Sequence, residues 1–150
     1  MISIKNMSIK YYSLPLNTRI LVNRGVHETC SLEQSISHHI HLINTSYFGE
    51  CAFDETFGCS IWMIDFDNLK TANNLKSLIQ ESLFKSLILH EKRLDSIEVT
   101  VRMKQEQIEG AISSVRIKKR LDIRVKGRVK KTNEAFSHVE YFYIGPLSYS

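Results

Sequence analysis

Between Leu87 and Val101 the chain changes its hydrophobic period. Leu87, Ile88 and Leu89 close an apolar helical run, and Ile97, Val99 and Val101 begin a strict alternation. A period of 3.6 residues buries one stripe of a helix, whereas a period of two buries one face of a strand. A helix-to-strand boundary is therefore fixed in the middle of the protein. Three consecutive charges, Glu91, Lys92 and Arg93, stand in the bend. Charges placed where two apolar elements turn into each other must be solvated, paired or offered to a partner. No nucleophile or cofactor motif accompanies them, so the pattern points to assembly rather than catalysis.

Upstream of the boundary, residues 1–30 read as an extended lead-in punctuated by Pro15 and Gly25. Tyr11, Tyr12, Leu14 and Leu16 are its candidate anchors to a core. Ser31-Leu-Glu-Gln34 has the form of a capping box, and Leu32, Ile36, Ile40 and Ile43 follow at helical spacing. This predicts a first helix ending near Asn44 or Thr45. A loop spans Ser46 to Gly58. Ile61 to Asp67 is a short apolar patch that fits a helix or a strand equally well. A second helix begins between Asn68 and Asn74 and runs to His90, with Leu75, Leu78, Ile79 and Leu83 as its core stripe. Phe84 and Ile88 lie on its opposite flank. A helix apolar on both flanks buries both, within its own fold or against another chain.

Downstream, Ile97, Val99, Val101 and Met103 form a strand, and Lys104 to Gly110 reads as a polar turn. Val115 to Ile117 and Leu121 to Val125 alternate again, as does Val129. Thr132-Asn133-Glu134 is a turn signal, and Val139 to Ile144 is a last strand stopped by Gly145-Pro146. Consecutive strands with short turns imply an antiparallel sheet. The expected fold is α+β, with two main helices packed on an antiparallel C-terminal β-sheet and residues 31–150 forming a single domain. A length of 150 residues with 43% hydrophobic content and two prolines suits a folded chain with a sizeable core.

No apolar run is long enough to span a bilayer, and the first residues lack a signal-peptide core. A cytoplasmic location without membrane association is the expectation. Cys30, Cys51 and Cys59 are odd in number and not closely spaced, which reads as free thiols. Asn44-Thr45-Ser46 matches a glycosylation sequon that such a location leaves unused.

Three residue groups invite chemistry. His38, His39 and His41 suggest a metal, but zinc needs further ligands and there is no Cys-x-x-Cys pair. A solvated or partner-facing histidine cluster is expected, with no metal and no cofactor. Glu50, Asp54, Glu55, Asp65 and Asp67 supply carboxylates, and glycoside hydrolysis needs two across a sugar with one pKa raised. Their spacing reads as loop and cap positions instead. Arg116, Lys118, Arg120, Arg124, Lys126, Arg128 and Lys130 line up as an outward basic face. Such a face binds phosphates, which makes a nucleic-acid module the rival reading. No aromatic residue interleaves there to stack on bases, so a solvated face or one meeting an acidic protein surface is preferred, with no nucleic acid as partner.

An ordered set of small motifs carries a resemblance. It comprises Ser35-Ile36, Asn44-Thr45, Gly49-Glu50, Asp54, Phe57-Gly58, the hydrophobic helix, Glu91-Lys92-Arg93 and Ile97-Glu-Val-Thr-Val101. Together these resemble the baseplate wedge protein of contractile phage tails and its type VI secretion counterpart, TssE. Tyr12-Ser-Leu-Pro-Leu16, Cys30-Ser-Leu-Glu33 and Phe57-Gly-Cys-Ser-Ile-Trp62 are similar to the variant found in Bacteroidota. The likeness covers roughly Leu14 to Ile144. Lys92 and Glu55 stand where the family usually has proline. At Lys92 the exchange loosens the bend and adds a charge.

The resemblance implies a structural subunit of a type VI secretion baseplate. It would join TssF-like and TssG-like wedge subunits and nucleate the contractile sheath. It also implies that Glu91 and Arg93, with Lys92, dock to the helical core bundle of those neighbours. Phe84 and Ile88 are added as a second partner surface. The family has been labelled lysozyme-like, so a peptidoglycan hydrolase is the remaining rival. The strongly β-prone run Val139-Glu-Tyr-Phe-Tyr-Ile144 suits a sheet edge, where a sheath strand could pair with it. Val139, Tyr141, Phe142, Tyr143 and Ile144 are the expected sheath-binding residues, with the basic face steering an acidic sheath segment.

Overall fold

The computed structural model describes residues 9–64, 72–109 and 115–144. Its first element is a two-residue strand β1 (Tyr11–Tyr12), followed by a short helix α1 (Thr18–Val22) and strand β2 (Thr29–Cys30). β1 and β2 pair antiparallel, with Tyr11 opposite Cys30. The stretch read as an extended lead-in thus carries a ladder and a helical turn. Asn17 starts that turn by accepting from the Ile20 N–H at 3.3 Å. His27, buried, fixes its entry by accepting from the Asn17 N–H at 2.8 Å.

Helix α2 (Leu32–Thr45) begins at the expected capping box. Ser31 Oγ accepts from the Gln34 N–H at 3.1 Å, and Gln34 Oε1 accepts from the Ser31 N–H at 3.0 Å. Ile36, Ile40 and Ile43 are fully buried. The loop after α2 folds back so that the Cys59 N–H donates to Ser46 O at 2.9 Å. Gly58 is required there. Its φ is +119°, and a Cβ would meet Ser46 O at 2.7 Å. Ile61–Met63 form one 3-10 turn.

Helix α3 (Ala72–His90) buries Leu75, Ile79, Leu83 and Leu87, each four residues after the last. Leu78, expected in this stripe, is half exposed. A stripe advancing by four leaves Leu78 one position behind it, on the flank that faces solvent. Ser86 is buried and donates to Gly58 O at 2.6 Å, tying α3 to the loop.

Three antiparallel strands follow in the order β3-β4-β5. They are β3 (Leu94–Glu109), β4 (Val115–Val129) and β5 (Ala135–Ile144). The expected turn from Lys104 to Gly110 is instead strand as far as Glu109, while Gly110 lies outside the described residues. Lys104, Gln105 and Glu106 pair with Arg120, Lys119 and Lys118. The ion pairs that hold this outer part of the hairpin, where apolar alternation is missing, run diagonally, from Lys104 Nζ to Asp122 at 3.2 Å and from Arg120 Nη1 to Glu106 at 3.3 Å. Between Asp95 and Glu98 the register shifts, and Ser96 takes φ +50°.

The fold is thus mixed helix and antiparallel sheet. One cluster of buried side chains runs from Ile36, Ile40 and Ile43 through the α3 stripe to Val99, Val101, Leu121, Ile123 and Val125. Helix α3 lies along β3, whereas α2 meets α3 and the edge strand β5. Two main helices packed on an antiparallel C-terminal sheet, as the sequence suggests, are therefore realised only in part. No described helix is long and apolar enough to cross a membrane.

Candidate functional site

Glu91 is the first residue beyond α3, and its N–H still donates to Leu87 O at 2.8 Å. Its side chain is only 1% exposed. Oε1 accepts from Arg93 N at 3.0 Å and Arg93 Nε at 2.8 Å. Oε2 accepts from Arg93 Nη2 at 2.7 Å and lies 2.8 Å from His39 Nδ1 on α2. Arg93 Nη1 then donates to Ser35 Oγ at 2.9 Å, also on α2. The bend between α3 and β3 is thereby stitched to α2 through one carboxylate. Burial pushes the Glu91 pKa up, but the Arg93 and His39 hydrogen bonds and the Arg93 charge outweigh it, and the value falls from 4.5 to about 2. The Arg93 guanidinium is correspondingly raised, first by its hydrogen bonds to Glu91.

Lys92, between them, turns outward and donates to Ile88 O at 3.1 Å, closing the end of α3. His39 stacks on Phe57, which meets His90 edge-on with centroids 5.2 Å apart. His90 Nε2 lies 2.9 Å from Thr56 O, so the loop around Phe57 is fixed against this node. Above the node is an open groove of about 490 Å³. Its walls are Tyr12, Leu14, Leu16, Ser35, His39 and Leu42, and Arg93 stands in it about one-third exposed.

Phe84 and Ile88 are 38% and 48% exposed, so the chain's own fold does not bury this flank. They do not join the Glu91 groove. Phe84 borders a separate depression with Ser77, Gln80, Glu81, Ile97, Glu98 and Val99.

The five β5 residues divide between two faces. Val139, Tyr141 and Tyr143 are exposed on the outer face, whereas Ile144 is buried and Phe142 packs against the core. Phe142 meets Trp62 edge-on at 5.4 Å. Alternation along a strand makes that split unavoidable. Among the described residues β5 is an edge strand.

A second, largely buried carboxylate escaped the sequence reading. Glu140 on β5 lies 2.7 Å from His41 Nδ1, accepts from Asn44 Nδ2 and lies 3.4 Å from His138 Nε2. Burial raises its pKa, and the hydrogen bonds from His138, His41 and Asn44 lower it further than burial lifts it. Asn44 and His41 are 96 and 99 residues away from Glu140, which no local pattern reveals. Asn44 is fully buried, and its carbonyl accepts from Trp62 Nε1 at 2.7 Å, so the sequon is structural.

The histidines are likewise dispersed rather than clustered. His38 accepts from the Leu14 N–H at 3.4 Å, His39 faces Glu91 and His41 faces Glu140. Among the described residues no group of three or more His, Cys, Asp or Glu is arranged to hold a metal ion. Of the carboxylates weighed for hydrolysis, Glu50 accepts from the Tyr47 N–H and Asp54 from the Thr56 N–H and hydroxyl. The Thr56 bonds hold the Asp54 carboxyl below its ordinary value. Asp65 and Asp67 lie outside the described residues.

On the outer sheet face Arg120 is internally satisfied. It donates to Asp122 at 2.6 Å and to Glu106 at 3.3 Å, and its guanidinium lies 4.1 Å from the Tyr141 ring centroid. Arg124, Lys126 and Arg128 are exposed on the same strand. The Arg116 side chain lies outside the described residues.

Comparison with known proteins bears on this arrangement. Residues 30–134 match the family described as baseplate wedge protein gp25. A crystal structure from Geobacter sulfurreducens, of a protein provisionally assigned as a tail lysozyme, is 28% identical with a TM-score of 0.57. The match covers 82% of this chain and 100% of that one. No curated protein matches significantly.

Proposed function

The chain belongs to the baseplate wedge protein gp25 family, and from that premise we propose that it is a non-enzymatic subunit of a type VI secretion baseplate. A structural place in a contractile-tail baseplate goes with the family. The finer reading is that the protein works in the cytoplasm, bridges TssF-like and TssG-like wedge subunits and nucleates the sheath.

The observation that carries it is the Glu91–Arg93 node. A buried carboxylate is saturated by the chain's own donors, yet the arginine that saturates it stands in an open groove. An arginine locked in orientation by its own glutamate presents spare N–H groups without further loss of rotamer freedom. In this reading Glu91 sets the geometry, Arg93 contacts the helical core of the neighbours and Lys92 flanks it. Phe84 and Ile88 form a second, separate contact. Helix α3 lies along β3 at the other side of the sheet and leaves the β5 edge, with Val139, Tyr141, Phe142, Tyr143 and Ile144, for a sheath strand.

Hydrolysis is disfavoured on chemical grounds. A glycosidase acid needs a raised carboxyl pKa. Each described carboxyl with a clear shift, on Asp54, Glu81, Glu91, Asp122 and Glu140, is lowered.

The test is Arg93→Ala in the assembled system. Truncating one member of a desolvated interfacial contact costs about 2–5 kcal/mol of binding. The variant should stay folded by circular dichroism and fail to co-purify with the large wedge subunits. Normal co-purification of a folded Arg93→Ala protein would refute the docking role.

A further inference from the structure

The outer face of β4 and β5 is divided into two unlike halves. In register, Arg120 stands opposite Tyr143 and Asp122 opposite Tyr141. This half is closed on itself, because Arg120 binds Asp122 and Glu106, and the Tyr143 hydroxyl donates to Glu106 at 3.1 Å. In the other half Arg124 stands opposite Val139, Lys126 opposite Ser137 and Arg128 opposite Ala135. None of these three cations is within ion-pair distance of a carboxylate among the described residues. Arg128 instead donates to Asn133 Oδ1 at 3.3 Å.

The placement of the nearest acids gives this half a direction. Glu98 and Asp95 lie on β3, opposite Lys126 and Arg128. They are therefore on the side of β4 away from β5. Viewed from the β5 edge, small neutral side chains come first and a row of cations next. Strands are spaced about 4.8 Å apart, and arginine and lysine stems can lie over small neighbours to reach toward the edge. Tyrosines block that path in the first half. Valine, serine and alanine leave it open in the second.

We propose that the β5 edge takes an extended protein segment whose outer-face side chains are acidic along Ala135–Val139 and aromatic or neutral along Tyr141–Tyr143. This deepens the edge-pairing reading given above and rests on it. Charge complementarity selects the occupant. Acidic residues at alternate positions fall in step with Arg124, Lys126 and Arg128, which repeat at the two-residue period of the strand. The face is thus a register device as well as an attraction. A segment slipped by one residue would turn its carboxylates to the other face and leave the cations unpaired.

The experiment uses the full chain and two fluorescein-labelled peptides, Glu-Val-Glu-Val-Glu-Val-Tyr-Val-Tyr and its reversed order, to cover both strand directions. Binding is read by fluorescence anisotropy, with a version carrying lysine for glutamate and an oligothymidylate as competitors. One acidic order should bind, weaken with added salt, and lose about tenfold in affinity with Arg124→Glu or Lys126→Glu. Arg124→Gln keeps the shape and should lose less, whereas Lys131→Glu, off this face, should change nothing. Equal binding of the lysine peptide, or indifference to Arg124→Glu and Lys126→Glu, overturns the inference. Tighter binding of the oligothymidylate through the same residues overturns it in favour of a phosphate polymer. A proline at whichever of Tyr141 and Phe142 has its amide turned away from β4 separates the two readings. Loss of peptide binding there supports both. Retained, charge-dependent binding refutes edge pairing and with it the strand assignment, while leaving the cation rows as the contact.

Discussion

Replacing Glu91 with glutamine removes one negative charge and little volume from the bend between α3 and β3. The carboxylate has an ordinary pKa of 4.5 and a folded value of about 2. At about 1.4 kcal/mol per unit, that depression corresponds to roughly 3 kcal/mol of folding stability at neutral pH. Because the folded pKa is the lower one, this stability is fully present above pH 4.5 and is lost as pH falls toward 2. By pH 3 about 2 kcal/mol of it should be gone. Glu91→Gln should therefore be about 3 kcal/mol less stable than the natural protein at pH 7, but only about 1 kcal/mol less stable at pH 3. Urea unfolding followed by the single tryptophan, Trp62, at both pH values measures the two differences. Asp122 and Glu140 also have lowered pKa values and weaken both proteins together in acid, so only the difference reports on Glu91. A deficit under about 1 kcal/mol at pH 7, or one of equal size at the two pH values, would refute the claim that an ionised Glu91 stitches α2 to the bend.

Phe84→Asp should remain soluble and folded, with stability changed by under about 1 kcal/mol, because its ring is partly exposed. Loss of a wedge partner by this folded monomer in co-purification would support the second contact, and insoluble protein would assign Phe84 to the core. Purified protein incubated with peptidoglycan should release no soluble fragments by chromatography. Turnover abolished by Glu50→Gln or Asp54→Asn would overturn the non-enzymatic reading.

Local features of the fold were legible where one residue pattern had one physical cause. Ser31 and Gln34 announce the start of α2 because reciprocal capping needs those two side chains three residues apart. Its isoleucines announce the buried face. The extent of β3 was not legible. From Lys104 to Glu106 its facing residues on β4 are Arg120, Lys119 and Lys118, so strand pairing there leaves no apolar alternation to read. Leu78 misled because a residue three after Leu75 fits a helical stripe as well as one four after it. At the site, the charged triplet was visible and its wiring was not. His39 reaches Glu91 across 52 residues, and His41 reaches Glu140 across 99. Such pairs are products of tertiary packing, so the histidines looked like one cluster when each serves a different partner. The split of Val139 to Ile144 into an outer face and a core face follows from strand alternation, and the edge position of β5 from the strand order.

Affinity purification of the tagged chain from its native host, with mass spectrometry of what is retained, tests the central claim most directly. A baseplate subunit docked through the Arg93 groove predicts recovery of two large wedge subunits together with sheath protein. It also predicts that Arg93→Ala loses the wedge subunits while circular dichroism remains unchanged. Recovery of neither wedge nor sheath protein, from cells in which the apparatus is assembled, would contradict the account.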